Sequence, residues 1–194
     1  MNILFKFILS LVIRVILTIL ILFKLNVSNL LKVILVSLTE IFDSELPKNI
    51  FEKWVDFKSM TYQISDKITD KICYIILYLF IIKSNVFTKN EVYFVTGLLL
   101  YRIMGTYLFI KNKDRKYLFY FPNFYLEIVI GLFAIKHFSF LKNYKSLIII
   151  IILLFKIVCE YFHHYNSNIL NGLSKTFLQE FNKDKRKISK AISL

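Results

Sequence analysis

The sequence predicts an all-α protein, a multi-pass transmembrane helical bundle of about six helices. The chain of 194 residues is 57% hydrophobic and contains only four Gly and two Pro, and this apolar fraction is too high for a soluble domain. The apolar residues come in runs rather than in a stripe of helical spacing. Three runs, 3–23, 92–110 and 146–166, are each long enough to cross about 30 Å of hydrocarbon as helices.

Three further apolar segments complete the pattern, although they are shorter or more interrupted: 27–43, 70–83 and 118–138. The first run of the chain lacks a small-residue cleavage site and carries Arg14, so we expect a retained helix rather than a signal peptide. Helix two is expected to end near Asp43, because Pro47 disfavours helical conformation at the residue before it. Helix three is expected to start around Asp66.

The chain divides into a transmembrane helical domain, 1–166, and a tail, 167–194. The apolar residues of the tail follow helical spacing and precede the basic run 183–187. This pattern is typical of an amphipathic helix on an anionic membrane leaflet. A disordered basic tail is the alternative, and the sequence leaves both open.

The distribution of basic residues predicts the orientation of the helices. The formal net charge is +13. With a cytoplasmic N-terminus, the inner loops 44–71, 111–117 and 167–194 hold fifteen Lys and Arg residues, and the outer loops hold five. Because Lys and Arg favour cytoplasmic loops, the active-site face and the C-terminus are expected in the cytoplasm. The charge therefore points to membrane lipids as partners. No nucleic-acid partner is expected, because no DNA- or RNA-binding motif accompanies it.

Two acidic pairs lie at the predicted membrane ends of helices two and three: Glu40 with Asp43, and Asp66 with Asp70. Residues three or four apart share one face of a helix, so each pair aims its carboxylates in one direction. Carboxylates beside lipid are costly unless they are paired or bind a metal. Four of them converging from two helices would hold Mg²⁺ or Mn²⁺ against a phosphate.

A simpler interpretation applies to each acidic pair taken alone. The first pair is then a set of solvated acids that end a helix. The second is then a pair that favours a helix N-terminus through its dipole. In that case Lys67 and Lys71 are neighbouring side chains on a wet surface.

The segments 40–48 and 62–71 resemble the signature of the CDP-alcohol phosphatidyltransferases. That signature reads D-x2-D-G-x2-A-R, a short spacer, and then G-x3-D-x3-D. The family arrangement of six helices, with the motif on the second and third, is also similar. This chain departs from the signature in a spacer of thirteen residues and at five positions: Glu40 for the first Asp, Ser44 for Gly, Pro47 for Ala, Lys48 for Arg, and Tyr62 for Gly.

The resemblance implies that the chain transfers a phosphatidyl or similar group from a CDP-linked lipid to a hydroxyl acceptor in phospholipid synthesis, with release of CMP. It implies a Mg²⁺ or Mn²⁺ cofactor and a homodimer. The metal ligands would be Glu40, Asp43, Asp66 and Asp70. Asp70 would also be the base that takes the proton of the acceptor hydroxyl.

Two basic residues are implied to bind substrate. Lys48 stands where the family has an arginine that binds a phosphate. Its ammonium group would contact the phosphate as a point charge, without the two parallel hydrogen bonds of an arginine. Arg102, inside helix four, resembles a basic residue of the family that approaches the acceptor or its phosphate. Pairing with Glu127 on helix five is the alternative for Arg102.

Two other functions remain open at this stage. The first is a catalytically degenerate relative that binds lipid or nucleotide. The second is an unrelated multi-pass membrane protein, such as a transporter or an assembly factor. A transporter would be expected to show Gly- or Pro-interrupted segments at mid-membrane, and this chain has almost none. Enzymatic activity is therefore favoured but open, with a metal-dependent transferase as its expected form.

Overall fold

The chain is all-α, as predicted. The structure is a computed structural model that describes residues 3–51, 60–114 and 116–165, with side-chain placements over 11–40, 60, 63–114 and 116–159. No strand occurs in these ranges. The elements are α1 (Ile3–Phe23), α2 (Asn29–Phe51), α3 (Met60–Ser84), α4 (Lys89–Asn112), α5 (Lys116–Tyr120), α6 (Tyr125–His137), the 3₁₀ helix Ser139–Tyr144 and α7 (Lys145–Tyr165).

The helices that contain the acidic pairs are longer than predicted. The prediction that helix two ends near Asp43 is wrong, because α2 continues through Pro47 to Phe51. A proline inside a helix removes one backbone hydrogen bond but does not always end the helix. Similarly, α3 begins at Met60 rather than around Asp66. Both acidic pairs therefore lie within helices rather than at their ends.

The predicted fifth apolar segment is divided into two helices. The short α5 ends at Tyr120 and α6 starts at Tyr125, with Pro122 between them. Proline lacks a backbone N–H and restricts the residue before it, so it favours a break in this linker. The break moves Asn123 out of a helix and next to the N-terminus of α6.

The hydrophobic core forms around α3, which contacts both α1 and α4, while α6 contacts α2, α4 and α7. Tyr74, Leu77 and Ile81 of α3 are almost fully buried. The Tyr74 ring lies 5.3 Å from that of Tyr125, centroid to centroid. This ring contact joins α3 to the start of α6, so the polar residues near Tyr74 and those near Tyr125 come within reach of each other.

Many apolar side chains remain on the outside of the bundle. On α7, Leu147, Leu154 and Phe155 are each more than half exposed. Within the described residues, two segments are long and apolar enough to cross a membrane, Lys89–Asn112 and Lys116–His137. Exposed apolar surface of this extent marks a membrane or protein contact.

Three helices are joined at one end of the bundle by the carboxylate of Glu91. Thr88 and Glu91 form a capping box at the start of α4, which satisfies backbone N–H groups that the first helical turn leaves free. The same carboxylate lies 3.0 Å from Lys136 of α6 and 2.5 Å from Lys145 of α7. We call this group the Glu91 clamp.

The two glycines of α4 have different surroundings. The sequence suggests that Gly97 and Gly105, eight residues apart on one face, let another helix approach. A Cβ atom at Gly97 would meet no atom within 4 Å. A Cβ atom at Gly105 would overlap the Phe121 side chain of the linker between α5 and α6. Only Gly105 therefore permits a close approach, and it admits the linker rather than a helix.

We expect Gly105→Ala to lower the free energy of unfolding by about 1–3 kcal/mol, because the added methyl group overpacks the site against Phe121. Gly97→Ala is the matched control, since its methyl group points into open space, and alanine favours helix over glycine. SDS titration of both variants in detergent micelles measures the difference. Equal stability of the two variants would contradict the packing described here.

Candidate functional site

A charged cavity lies between α1, α2, α3, α6 and α7, with a volume of about 650 Å³. This volume is within the range of about 300–1,000 Å³ that is typical of small-molecule sites. We call it the charged cavity. Its charged lining residues are Arg14, Glu40, Asp66, Lys67, Asp70, Glu127 and Lys156.

An ion-pair network forms the wall between α1 and α3. Arg14 Nη2 lies 2.8 Å from Asp70 Oδ1, and Lys67 Nζ lies 2.9 Å from Asp70 Oδ2. Lys67 Nζ also lies 2.8 Å from Asp66 Oδ2. The Arg14 and Asp70 side chains are only 5% and 3% exposed. Because ionised groups at such depth are costly alone, each charge depends on its partners.

Glu40 is held by a hydrogen-bonded chain that leads from α2 across α3 to the start of α6. The Tyr74 hydroxyl lies 2.8 Å and 3.0 Å from the two oxygens of Glu40 and donates to them. Asn123 Nδ2 donates in turn to the Tyr74 hydroxyl. Tyr125 anchors the chain by donating to the Tyr74 carbonyl oxygen at 3.2 Å. The Glu40 carboxylate thus accepts from a neutral donor, the Tyr74 hydroxyl, which is itself held by Asn123.

The opposite wall of the charged cavity contains an ion pair between α6 and α7. Lys156 Nζ lies 2.5 Å from Glu127 Oε1. Glu127 Oε2 and the Oδ1 atom of Asn123 are buried and have no hydrogen-bond partner among the described residues. Buried polar atoms are normally hydrogen-bonded. This wall therefore offers two free acceptors.

Three of the four predicted metal ligands line the same cavity: Glu40, Asp66 and Asp70. They come from two helices, as the sequence predicted. The fourth, Asp43, lies in the backbone of α2, but its side chain is outside the described residues, and the same holds for Lys48. The predicted catalytic residue, Asp70, lies on the cavity wall.

Arg102 is buried within α4, but it is not part of the lining of the charged cavity. Its Nη1 atom donates to the carbonyl oxygen of Phe121 and, at 3.2 Å, to that of Leu118. The alternative partner considered from sequence, Glu127, pairs with Lys156 instead. Arg102 thus supports the linker between α5 and α6, and its role as a substrate-binding residue stays a prediction.

The carboxylates have the chemistry that a hard divalent cation needs, but their arrangement does not fit one. Oxygen ligands are those that Mg²⁺ prefers. However, Asp66 and Asp70 are turned to Lys67 and Arg14, and no group of three acidic, His or Cys side chains in the described residues could hold a metal ion. A metal would have to displace these cations.

Several residues of the site were not assigned to it from the sequence. Lys71 is not on a wet surface, since it is 7% exposed and its Nζ lies 4.5 Å from the centre of the Tyr74 ring, and Lys67 lines the charged cavity in contact with both acids. Tyr74 follows Asp70 by one helical turn, and this spacing could have indicated a shared face. Asn123 lies in the linker between α5 and α6, where the sequence has no helical or strand periodicity that could have indicated its role.

Comparison with known proteins adds no relative. No protein-family model, no curated protein and no solved structure matches this chain.

We expect Arg14→Gln and Asp70→Asn each to lower the free energy of unfolding by about 3–5 kcal/mol, because each leaves a buried charge without its main partner. The double variant should lose less than the sum, with a coupling energy of about 0.5–3 kcal/mol. SDS titration in micelles measures all four forms of the cycle. Additive losses would show that the two residues do not interact.

Proposed function

We propose that this chain is a multi-pass membrane protein of the CDP-alcohol phosphatidyltransferase type. It transfers a phosphatidyl or similar group from a CDP-linked lipid to a hydroxyl acceptor and releases CMP. The membrane part of the proposal is supported by the two described segments that are long enough to span a bilayer and by the exposed apolar surface of α7. The active-site face and the C-terminus lie in the cytoplasm, as the positive-inside distribution favours.

One observation carries the proposal: Glu40, Asp66 and Asp70, from separate parts of the sequence, line a single cavity with Arg14 and Lys67. The acidic positions are those that resemble the family signature. The two cations, Arg14 and Lys67, supply positive charge where a diphosphate would lie. Electrostatic attraction between a cation and a phosphate is stronger in a site of low dielectric constant than in bulk water. A hydrophobic bundle without a ligand would not require this number of charged groups around one space.

The reaction joins the acceptor oxygen to the lipid-bearing phosphorus and breaks the bond from that phosphorus to the oxygen of CMP. The acceptor hydroxyl loses its proton, and CMP leaves with the bonding electron pair. Asp70 takes the proton of the acceptor hydroxyl as the hydroxyl oxygen attacks, while Arg14 and Lys67 balance the charge of the phosphates. To reach the hydroxyl, Asp70 has to give up one of its two ion pairs.

A second candidate function is a relative that binds a phosphate-bearing lipid or nucleotide without turnover. One observation favours it: Arg14 and Lys67 already neutralise Asp66 and Asp70 within the protein. Carboxylates that are paired in this way bind a metal less readily. The cavity then serves as a binding site whose charges are internally balanced.

We expect purified protein in micelles to release CMP from CDP-diacylglycerol when it is supplied with one of a panel of alcohols. Asp70→Asn should reduce the rate by about 100-fold or more, since general-base contributions are typically of that size. The control is Asp114→Asn, in the exposed linker between α4 and α5, where Asp114 pairs only locally with Lys116 at 2.9 Å. A folded wild-type protein that releases no CMP with any alcohol would favour the second candidate.

Binding of Mn²⁺ tests separately whether these acidic residues can take up a metal ion. If the acidic residues hold the ion, Asp66→Asn or Asp70→Asn should weaken Mn²⁺ binding by about tenfold or more. Arg14→Gln should strengthen it, because it frees Asp70 from its cationic partner. Electron paramagnetic resonance of free Mn²⁺ in equilibrium with the protein gives the affinities. If none of the three substitutions changes the affinity, these residues are not the metal ligands.

A further inference from the structure

The end of the bundle opposite the charged cavity carries a concentration of positive charge. The last turns of α1, α3 and α6 lie there, together with the first turns of α2, α4 and α7. The segments 24–32, 83–91 and 136–145, which form this end, contain seven lysines and a single acidic residue, Glu91. We call it the cationic end. Its lysines are Lys24, Lys32, Lys83, Lys89, Lys136, Lys142 and Lys145.

Glu91 does not balance this charge. Its carboxylate is shared by Lys136, at 3.0 Å, and Lys145, at 2.5 Å. Two ammonium groups against one carboxylate leave a net positive charge even within the Glu91 clamp. The other five lysines have no further carboxylate within the three segments of this end. Because like charges that lie close together repel, an anion bound among them would be stabilised.

A row of aromatic rings holds two of these lysines next to each other. The centroids of the Phe23 and Phe80 rings lie 5.9 Å apart, and those of Phe80 and Phe133 lie 6.2 Å apart. Lys83 Nζ lies 5.5 Å from the centre of the Phe23 ring, and Lys32 Nζ lies 5.5 Å from that of Phe80. A ring face attracts an ammonium group without neutralising it. Both lysines therefore keep their full charge for a ligand.

The third ring of the row borders a small cavity of about 190 Å³. This volume is below the range of about 300–1,000 Å³ that is typical of sites for whole small molecules, so the cavity suits one small group of a larger ligand. Its lining residues are partly polar and partly apolar: Asn29, Lys136 and His137, and Leu30, Val86 and Phe133.

Exposed apolar side chains adjoin the cationic end, and they indicate what kind of anion it binds. Phe23, Leu25, Leu31 and Ile82 are each more than a third exposed. Cations beside exposed apolar side chains match the phosphate and the acyl chains of a lipid, whereas a free phosphate would use the cations alone. In the proposed orientation this end faces away from the cytoplasm, where the positive-inside rule does not favour lysines. Topology therefore gives no reason for the charge, and an anionic lipid does.

We propose that the cationic end is a binding site for the headgroup of an anionic phospholipid. The phosphate lies near Lys32, Lys83 and the cavity beside Phe133, and the acyl chains follow the exposed apolar side chains of α1 and α2. The proposal rests on the membrane part of the proposed function and not on the transferase reaction. This lipid is a bound partner at the other end of the bundle from the charged cavity.

The test places the full chain in phosphatidylcholine bilayers that contain a trace of spin-labelled phosphatidylglycerol or phosphatidylcholine. Electron paramagnetic resonance measures the immobilised fraction of each label. We expect phosphatidylglycerol to bind about tenfold more tightly or better. Lys32→Gln and Lys83→Gln should each weaken its binding by about fivefold, the effect of removing one lysine near a lipid surface.

The matched control is Lys111→Gln, which removes the same charge from an exposed position in the last turn of α4, at the other end of the bundle. It should leave phosphatidylglycerol binding unchanged. An equal loss in Lys111→Gln would show a general attraction to a basic protein and overturn the site. Equal immobilisation of the two labels by the wild type, or unchanged binding in both Lys32→Gln and Lys83→Gln, would also overturn it.

Inorganic phosphate distinguishes a lipid from a free anion as the ligand. We expect it to leave phosphatidylglycerol bound when it is added at the concentration of the lipid, and displacement of the lipid would overturn the lipid as occupant. The measurement uses no CDP-linked lipid and no turnover. Failure of the transferase proposal would therefore leave its result unaffected.

Discussion

The ion pair between Arg14 and Asp70 is the contact on which the polar interior of this protein depends. It joins α1 to α3 at a depth where neither charge is tolerated alone, with Lys67 as the third member. The network places two carboxylates against two cations beside the charged cavity. Without it, α3 would carry an uncompensated charge into the core.

The charged cavity combines two kinds of polar surface. One wall consists of ions that pair with each other, and the other contains Asn123 and the Glu127–Lys156 pair, with two acceptor atoms that have no partner in the part of the chain that the structure describes. Tyr74 connects the two, because its hydroxyl holds Glu40 and its backbone and ring are fixed by Tyr125.

The sequence predicted the long apolar helices well, since α1 has the predicted bounds and α7 is shifted by a single residue. The length of each apolar run determines the bounds of those helices, and tertiary contacts are not needed to predict them. The two prolines have different effects, for reasons outside the local sequence. Helix α2 continues through Pro47. The segment at Pro122 stays non-helical because Phe121 accepts a hydrogen bond from Arg102 and Asn123 donates one to Tyr74. Helical spacing placed Asp66 and Asp70 on one face, and Lys67 lies three residues before Asp70 on the same helix. Arg14, in contrast, comes to Asp70 through the packing of α1 against α3 and could not be read from spacing.

The Glu91 clamp has a mechanical consequence for the rest of the bundle. It fastens α4, α6 and α7 at the ends remote from Asn123 and Lys156. Because the Glu127–Lys156 ion pair joins α6 to α7 a second time, away from the clamp, these two helices are tied at two separate points and are expected to move as one unit.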